Sequence, residues 1–186
     1  MAKSPALQDR TAGTILEHAA RVLAEQRDAA SLADIAQAAG VARSTLYRYF
    51  PNREALLQAL ARRAMDELRG RIREAQLDTL PVAEALARIT RGFIATGAEY
   101  VALAYLAPTP PDAATAQINE PVLRLLERGI DDGTLRNDLP AHTLLDIYGD
   151  LIQGAITRAA RDREGVEPTS AAILAVFLDG ALATGV

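Results

Sequence analysis

Between positions 43 and 49 the chain reads RSTLYRY: two arginines, two hydroxyl residues and two tyrosines around one leucine. At helical spacing Leu46 and the nearby Val41 are the apolar anchors. Arg43, Ser44, Thr45, Tyr47, Arg48 and Tyr49 are left as a polar, cationic and aromatic outer face. Such a face suits a polyanion with hydrogen-bonding edges. An arginine near a helix start can fork onto guanine O6 and N7, the commonest specific contact with duplex DNA. Ser44 and Tyr47, a turn or less away, can reach neighbouring bases or a thymine methyl. Tyr49, Thr45 and Arg53 are better placed for phosphates, where hydroxyls and cations fix register but carry no sequence information. Ser31 heads the preceding helix, whose positive terminus can offer amides to a further phosphate. Each tyrosine also has a plain use, because Tyr47 and Tyr49 beside Phe50 suit the packing of a small core. Arg48 can point to the DNA backbone or away from it.

The elements that must position these groups lie in SLADIAQAAGVARSTLYRYFPNR, residues 31–53. Leu32, Ile35, Ala36 and Ala39 recur at i, i+3, i+4 and i+7 and share one helix face. Ser31 is a capping residue and Asp34, three residues on, is the acid of a capping box. Gly40 ends that helix where a left-handed residue is wanted. Two short helices around a glycine turn form a helix-turn-helix unit, whose second helix enters the major groove.

The same residues carry a family likeness. Ile35-Ala36-x-x-Ala39-Gly40-Val41-x-x-Ser44-Thr45-Leu46-Tyr47-Arg48-Tyr49-Phe50-x-Asn52-Arg53-Glu54-Ala55-Leu56-Leu57 resembles the DNA-binding domain of TetR-type transcriptional regulators. Beyond this stretch only length and helical patterning agree. The resemblance implies the same DNA-contact roles for these positions. It departs at Ala42, where such proteins often carry a capping serine, a loss of about 1 kcal/mol at the helix start.

A net charge of −4 is unexpected for a DNA binder until it is divided along the chain. Residues 1–53 hold seven Lys/Arg against five acids, and the rest holds thirteen against nineteen. The positive end is the one expected to meet phosphate. With no cysteine, disulfides, zinc–thiolate sites and cysteine nucleophiles are excluded. No signal core or membrane-length apolar run is visible, so a soluble, cytoplasmic protein with no membrane partner is expected.

The expected fold is all-α, about nine helices: a three-helix head over residues 1–55 and a helical-bundle body over 56–186. Residues 1–9 read as a mobile arm, in which Lys3 can touch DNA or belong to a plain tail. A first helix is expected from Thr11 to Gln26 with Ile15, Ala19, Val22 and Leu23 inward. Asn52 caps a long helix from Arg53 to Ala75, which links head and body and exposes an arginine-rich face. The next helix follows Pro81, with Leu86, Ile89, Phe93, Thr96, Tyr100 and Leu103 on one line. Residues 107–111 form a proline loop. Helices are then expected over 112–119, from Pro121 to Asp131, over 141–161 and over 170–183, with a polar loop at 163–168. The last two are apolar over wide arcs and are expected to pair with a second copy, giving a two-fold homodimer. The alternative is that both are central in a monomer.

TetR-like bodies usually bind a small molecule that shifts the heads off DNA, so the resemblance implies an unknown effector. Polar or aromatic residues on apolar faces are the candidates: Phe93, Thr96, Tyr100, Tyr105, Tyr148 and Gln153. Few charges lie on the inward lines, which favours an apolar or neutral ligand. Glu99, Asp146 or Asp150 can instead meet a cation. No cofactor or metal is expected, since His18 and His142 lie on distant segments and no metal-binding spacing occurs. An enzyme on a helical bundle is disfavoured for the same reason. A ligand-free DNA-binding or interaction protein stays open, and a large internal cavity would argue against it. One head reads few base pairs, so an inverted-repeat operator in double-stranded DNA is expected.

Overall fold

Alanine- and leucine-rich segments punctuated by glycine and proline give nine α-helices and a single 3-10 turn, with no β-strand among the described residues. The computed structural model describes residues 5–106, 112–162 and 165–181; side chains at 5–9, 104–105, 112–113 and 161–162 lie outside the described set. The helices are α1 (Pro5–Gln26), α2 (Leu32–Ala38), α3 (Arg43–Tyr49), α4 (Arg53–Glu74), α5 (Val82–Glu99), α6 (Leu103–Leu106), α7 (Asp112–Asp131), α8 (Ala141–Asp162) and α9 (Val166–Ala181).

The chain divides into two compact units, residues 1–64 with 99–109 and residues 65–98 with 110–186. The division therefore falls inside α4, nine residues beyond the expected boundary at 55. The reason is packing: Leu56, Leu57, Leu60 and Ala64 of α4 are buried in the core of the first unit. Leu68 and Ile72 pack against the core of the second.

In the first unit, α1 packs on α2 and α2 on α3. Ile15, Ile35, Leu46, Leu56 and Leu60 are fully buried. Each such side chain contributes about 1.5–3 kcal/mol of burial. Helix α1 starts at Pro5, earlier than the expected Thr11. Proline is favoured at a first helical position, where its missing N–H has no partner to lose. Lys3 lies outside the described residues.

In the second unit, α8 packs between α7 and α9. Its core includes Leu86, Ile89, Ile94, Leu126, Leu135 and Tyr148. Arg128 ties the segment before α5 by donating to the carbonyls of Leu77 (2.9 Å), Asp78 (3.1 Å) and Leu80 (2.7 Å). Helix boundaries in α5, α7 and α9 also differ from the sequence expectation. Helix α5 stops at Glu99, and the Leu103 N–H closes a turn onto the Tyr100 carbonyl at 2.9 Å. Pro121 starts no helix but lies inside α7. Its lost N–H is offset by a continuous buried face, Ile118, Val122, Leu125 and Leu126, on both sides of it. Helix α9 begins at Val166, so Pro168 falls in a first turn, where a missing N–H costs nothing. The proline loop expected at 107–111 lies outside the described residues.

Candidate nucleic-acid interface and effector cavity

The capping box at the head of α2 is complete. Ser31 Oγ accepts from the Asp34 N–H at 3.2 Å, while Asp34 Oδ2 accepts from the Ser31 N–H (2.9 Å) and hydroxyl (2.6 Å). These bonds hold the Asp34 carboxyl below the usual carboxylate range. The Ser31 and Asp34 amides are thereby used in the cap, which leaves those of Leu32 and Ala33 at the helix start.

Gly40 takes φ +64°, so the chain reverses there without Cβ strain. Ala42 then opens α3 in an extended conformation with no side-chain cap. The faces of α3 separate as the spacing predicts. Leu46 is fully buried, and Phe50 just beyond the helix is buried too. Arg43, Ser44, Tyr47 and Arg48 are exposed, Tyr47 by 50%. An exposed tyrosine of this size has given up its burial energy, which is uncommon for a residue used only in packing. Arg43 makes no hydrogen bond or ion pair among the described residues, although its charge reaches Asp34. Thr45 is half-buried.

Two expected phosphate ligands are engaged elsewhere. Tyr49 is half-buried, and its hydroxyl is enclosed without a partner, so it presents no oxygen to a phosphate. Its ring instead lies under the Arg48 guanidinium, 5.2 Å from Cζ to centroid, within cation–π range. Arg53 donates through Nη1 to the Ala30 carbonyl and through Nη2 to that of Arg27 at 3.2 Å. Arg27 itself has φ +51°. Arg53 thus pins the strained turn before α2 to the start of α4, whose own first turn is capped by Asn52 Oδ1 accepting from the Ala55 N–H (2.8 Å).

The second unit contains a cavity of about 600 Å³. Of the six residues expected to line an effector site, Phe93, Tyr148 and Gln153 do so. Thr96 is buried on α5 with an unpartnered hydroxyl but is not in the wall. Tyr100 is buried in the core of the first unit, because α5 ends before it. The Tyr105 side chain lies outside the described residues. Asp146 and Asp150 are in the lining and Glu99 is not. Leu68, Ile118, Asn119, Val122, Ile152 and Ile156 complete most of it. The i, i+4, i+7 line Asp146, Asp150, Gln153 on α8 was the available signal for this wall.

Tyr148 is fixed by a 2.8 Å hydrogen bond between its hydroxyl and Thr90 Oγ1 and by an edge-on contact with Phe177 at 5.1 Å. Burial pushes its phenol pKa well above the ordinary value. Gly97, also in the wall, has no room for a Cβ, which would collide with Ile156. Outside the cavity, α8 and α9 leave Ile147 and Val176 exposed, the latter by 63%. Ala171, Ala172 and Ala175 are exposed beside Val176. No described helix is long and apolar enough to cross a membrane, and no described group of His, Asp or Glu converges as a metal site would.

The family profile of bacterial regulatory proteins, tetR family, matches residues 15–60. The chain is 36% identical over 160 residues to the HTH-type transcriptional repressor LfrR of Mycolicibacterium smegmatis, covering 83% of this chain and 82% of that one. It is 30% identical over 140 residues to the HTH-type transcriptional repressor KstR2 of Rhodococcus jostii, covering 67% and 68%. Among solved structures, the TetR-like regulator LfrR from Mycobacterium smegmatis in complex with proflavine aligns with a TM-score of 0.75 at 30% identity, covering 95% of this chain and 99% of that one.

Proposed function

Since the chain belongs to the TetR family of transcriptional regulators, we propose that it is a cytoplasmic repressor that grips an inverted-repeat operator as a two-fold homodimer and is released by a small molecule held in the body cavity. The observation that carries the DNA reading is the face of α3, where Arg43, Ser44 and Tyr47 stand exposed around a buried Leu46. In this reading Arg43 forks onto a guanine, Ser44 and Tyr47 meet adjacent bases, and Thr45 and Arg48 steady the helix on phosphates. Arg53 and Tyr49 act from inside the head.

Pairing through α8 and α9 is supported by the exposed Ile147, Val176 and alanines, which a second copy would cover. Release is supported by the cavity, whose 600 Å³ suits a drug-sized ligand. A relative's complex with proflavine supports an effector of that size here. The same cavity counts against a ligand-free interaction protein.

The test is selection of bound duplexes from a random pool at near-physiological salt, with Arg43→Ala in parallel. The wild-type chain should enrich one inverted repeat. The variant should lose preference at one base position per half-site, at about 1–3 kcal/mol. Uniform weakening across all sequences would remove Arg43 from base reading, and enrichment of no repeat by a folded dimer would overturn the operator reading.

A further inference from the structure

The cavity wall is graded in polarity. Phe93, Ile118, Val122, Tyr148 and Ile152 are each below a tenth exposed and form its apolar part. Asn119, Asp146, Asp150 and Gln153 are exposed and form its polar part. A ligand filling this space would therefore be amphipathic, with its body against the first set and its head among the second.

The polar part also has a sign. Asp146 and Asp150 stand one helical turn apart on α8, and neither forms a hydrogen bond or ion pair among the described residues. No lysine or arginine contributes to the lining. The arginines nearest in sequence on α7 are committed elsewhere, Arg124 to Glu120 at 3.5 Å and Arg128 to three carbonyls. Two unneutralised carboxylates beside a low-dielectric wall attract a cation and repel an anion. The aromatic residues agree in sign. With the Tyr148 hydroxyl spent on Thr90, Tyr148 and Phe93 bring aromatic rings to the wall, and a ring approached over its face attracts a cation. A neutral effector, the simpler expectation from the inward lines of the sequence, would leave both carboxylates without a counter-charge.

We infer that the effector site is selective for organic cations, an aromatic or alicyclic body with an ammonium-type head held by Asp146 and Asp150. This rests on the effector reading above and specifies the charge of the ligand. A matched trio of fluorescent probes isolates the charge: a naphthylmethyl trimethylammonium, its uncharged tert-butyl isostere, and the corresponding naphthyl carboxylate. Each is titrated into the full-length protein and, separately, into the protein bound to its selected operator. The cation should bind about tenfold or more tighter than the isostere, and the carboxylate more weakly still. Asp146→Asn and Asp150→Asn, conservative changes at exposed positions, should each weaken the cation about tenfold and leave the isostere unmoved. Equal or tighter binding of the isostere or carboxylate, cation binding indifferent to both substitutions, or no saturable cation binding would each overturn the inference. Cation binding without operator release would instead overturn the effector reading and leave the cation site standing. Release by the isostere alone would do the reverse.

Discussion

The two units solve opposite packing problems. The first fills its interior and puts its chemistry outside: Leu46 is sealed while Arg43, Ser44 and Tyr47 face solvent on the same short helix. The second leaves a half-open pocket of about 600 Å³ against its core and carries its apolar surplus outside, with Ile147 and Val176 exposed on α8 and α9. A surface that reads a polymer must be rigid from below, whereas a site that encloses a small molecule must forgo some of its own packing. The contrast predicts that mutations in the first unit act through stability and DNA together. Those in the second separate the two.

The largest effect should come from Leu46→Ala, which empties a fully buried site under the residues proposed to meet DNA. A loss of about 2–5 kcal/mol is expected in chemical denaturation, accompanied by loss of operator binding. Retained DNA affinity with lowered stability would break the proposed link between core and reading face.

Next is Arg53→Ala. Removing its bonds to the Ala30 and Arg27 carbonyls should cost about 1.5–3 kcal/mol of stability and lower DNA affinity. The slope of log affinity against log salt should stay unchanged, because the guanidinium braces the head from within. A slope reduced by about one would return Arg53 to the phosphate set.

Gly97→Ala sharpens the contrast from the other side. The new methyl collides with Ile156, which must swing into the cavity, at about 1–3 kcal/mol in stability. Effector affinity should fall while operator affinity without effector holds. Calorimetric titration alongside DNA binding checks both. The smallest effect is a gain: Ala42→Ser restores a side-chain cap to α3, worth about 1 kcal/mol in thermal unfolding.

Legibility in the sequence follows the same division. The capping box of Ser31 and Asp34, the turn at Gly40, the cap at Asn52 and the inward set Ile15, Ala19, Leu23 and Ile35 were readable, since each signal spans only a few residues. For Arg53 the charge is legible but its intramolecular acceptors are not, since they lie 23 and 26 residues upstream and are backbone carbonyls, which no side-chain pattern announces. For Tyr49 helical spacing does not say whether a boundary hydroxyl turns in or out, and here it is enclosed. The cavity was only half legible. Phe93, Tyr148 and Gln153 stood out as odd residues on apolar lines, but a void is set by what several helices jointly leave unfilled. Tyr100 was lost to it when α5 ended at Glu99, one residue too early for the periodic line to continue.

Pro121 gives the cavity a mechanical property of its own. It lies within α7, between Asn119 and Val122 of the wall, and has no amide hydrogen to offer the carbonyl of Gln117. One rung of the ladder is missing where the helix borders the empty space. In amide hydrogen exchange α7 should behave as two protected runs joined at a weaker point, with opening at 118–122 cheaper than at either end of the buried face. The wall therefore has a built-in place to yield, so that admitting a bulky guest strains one peptide step of α7 and spares the rest of the helix.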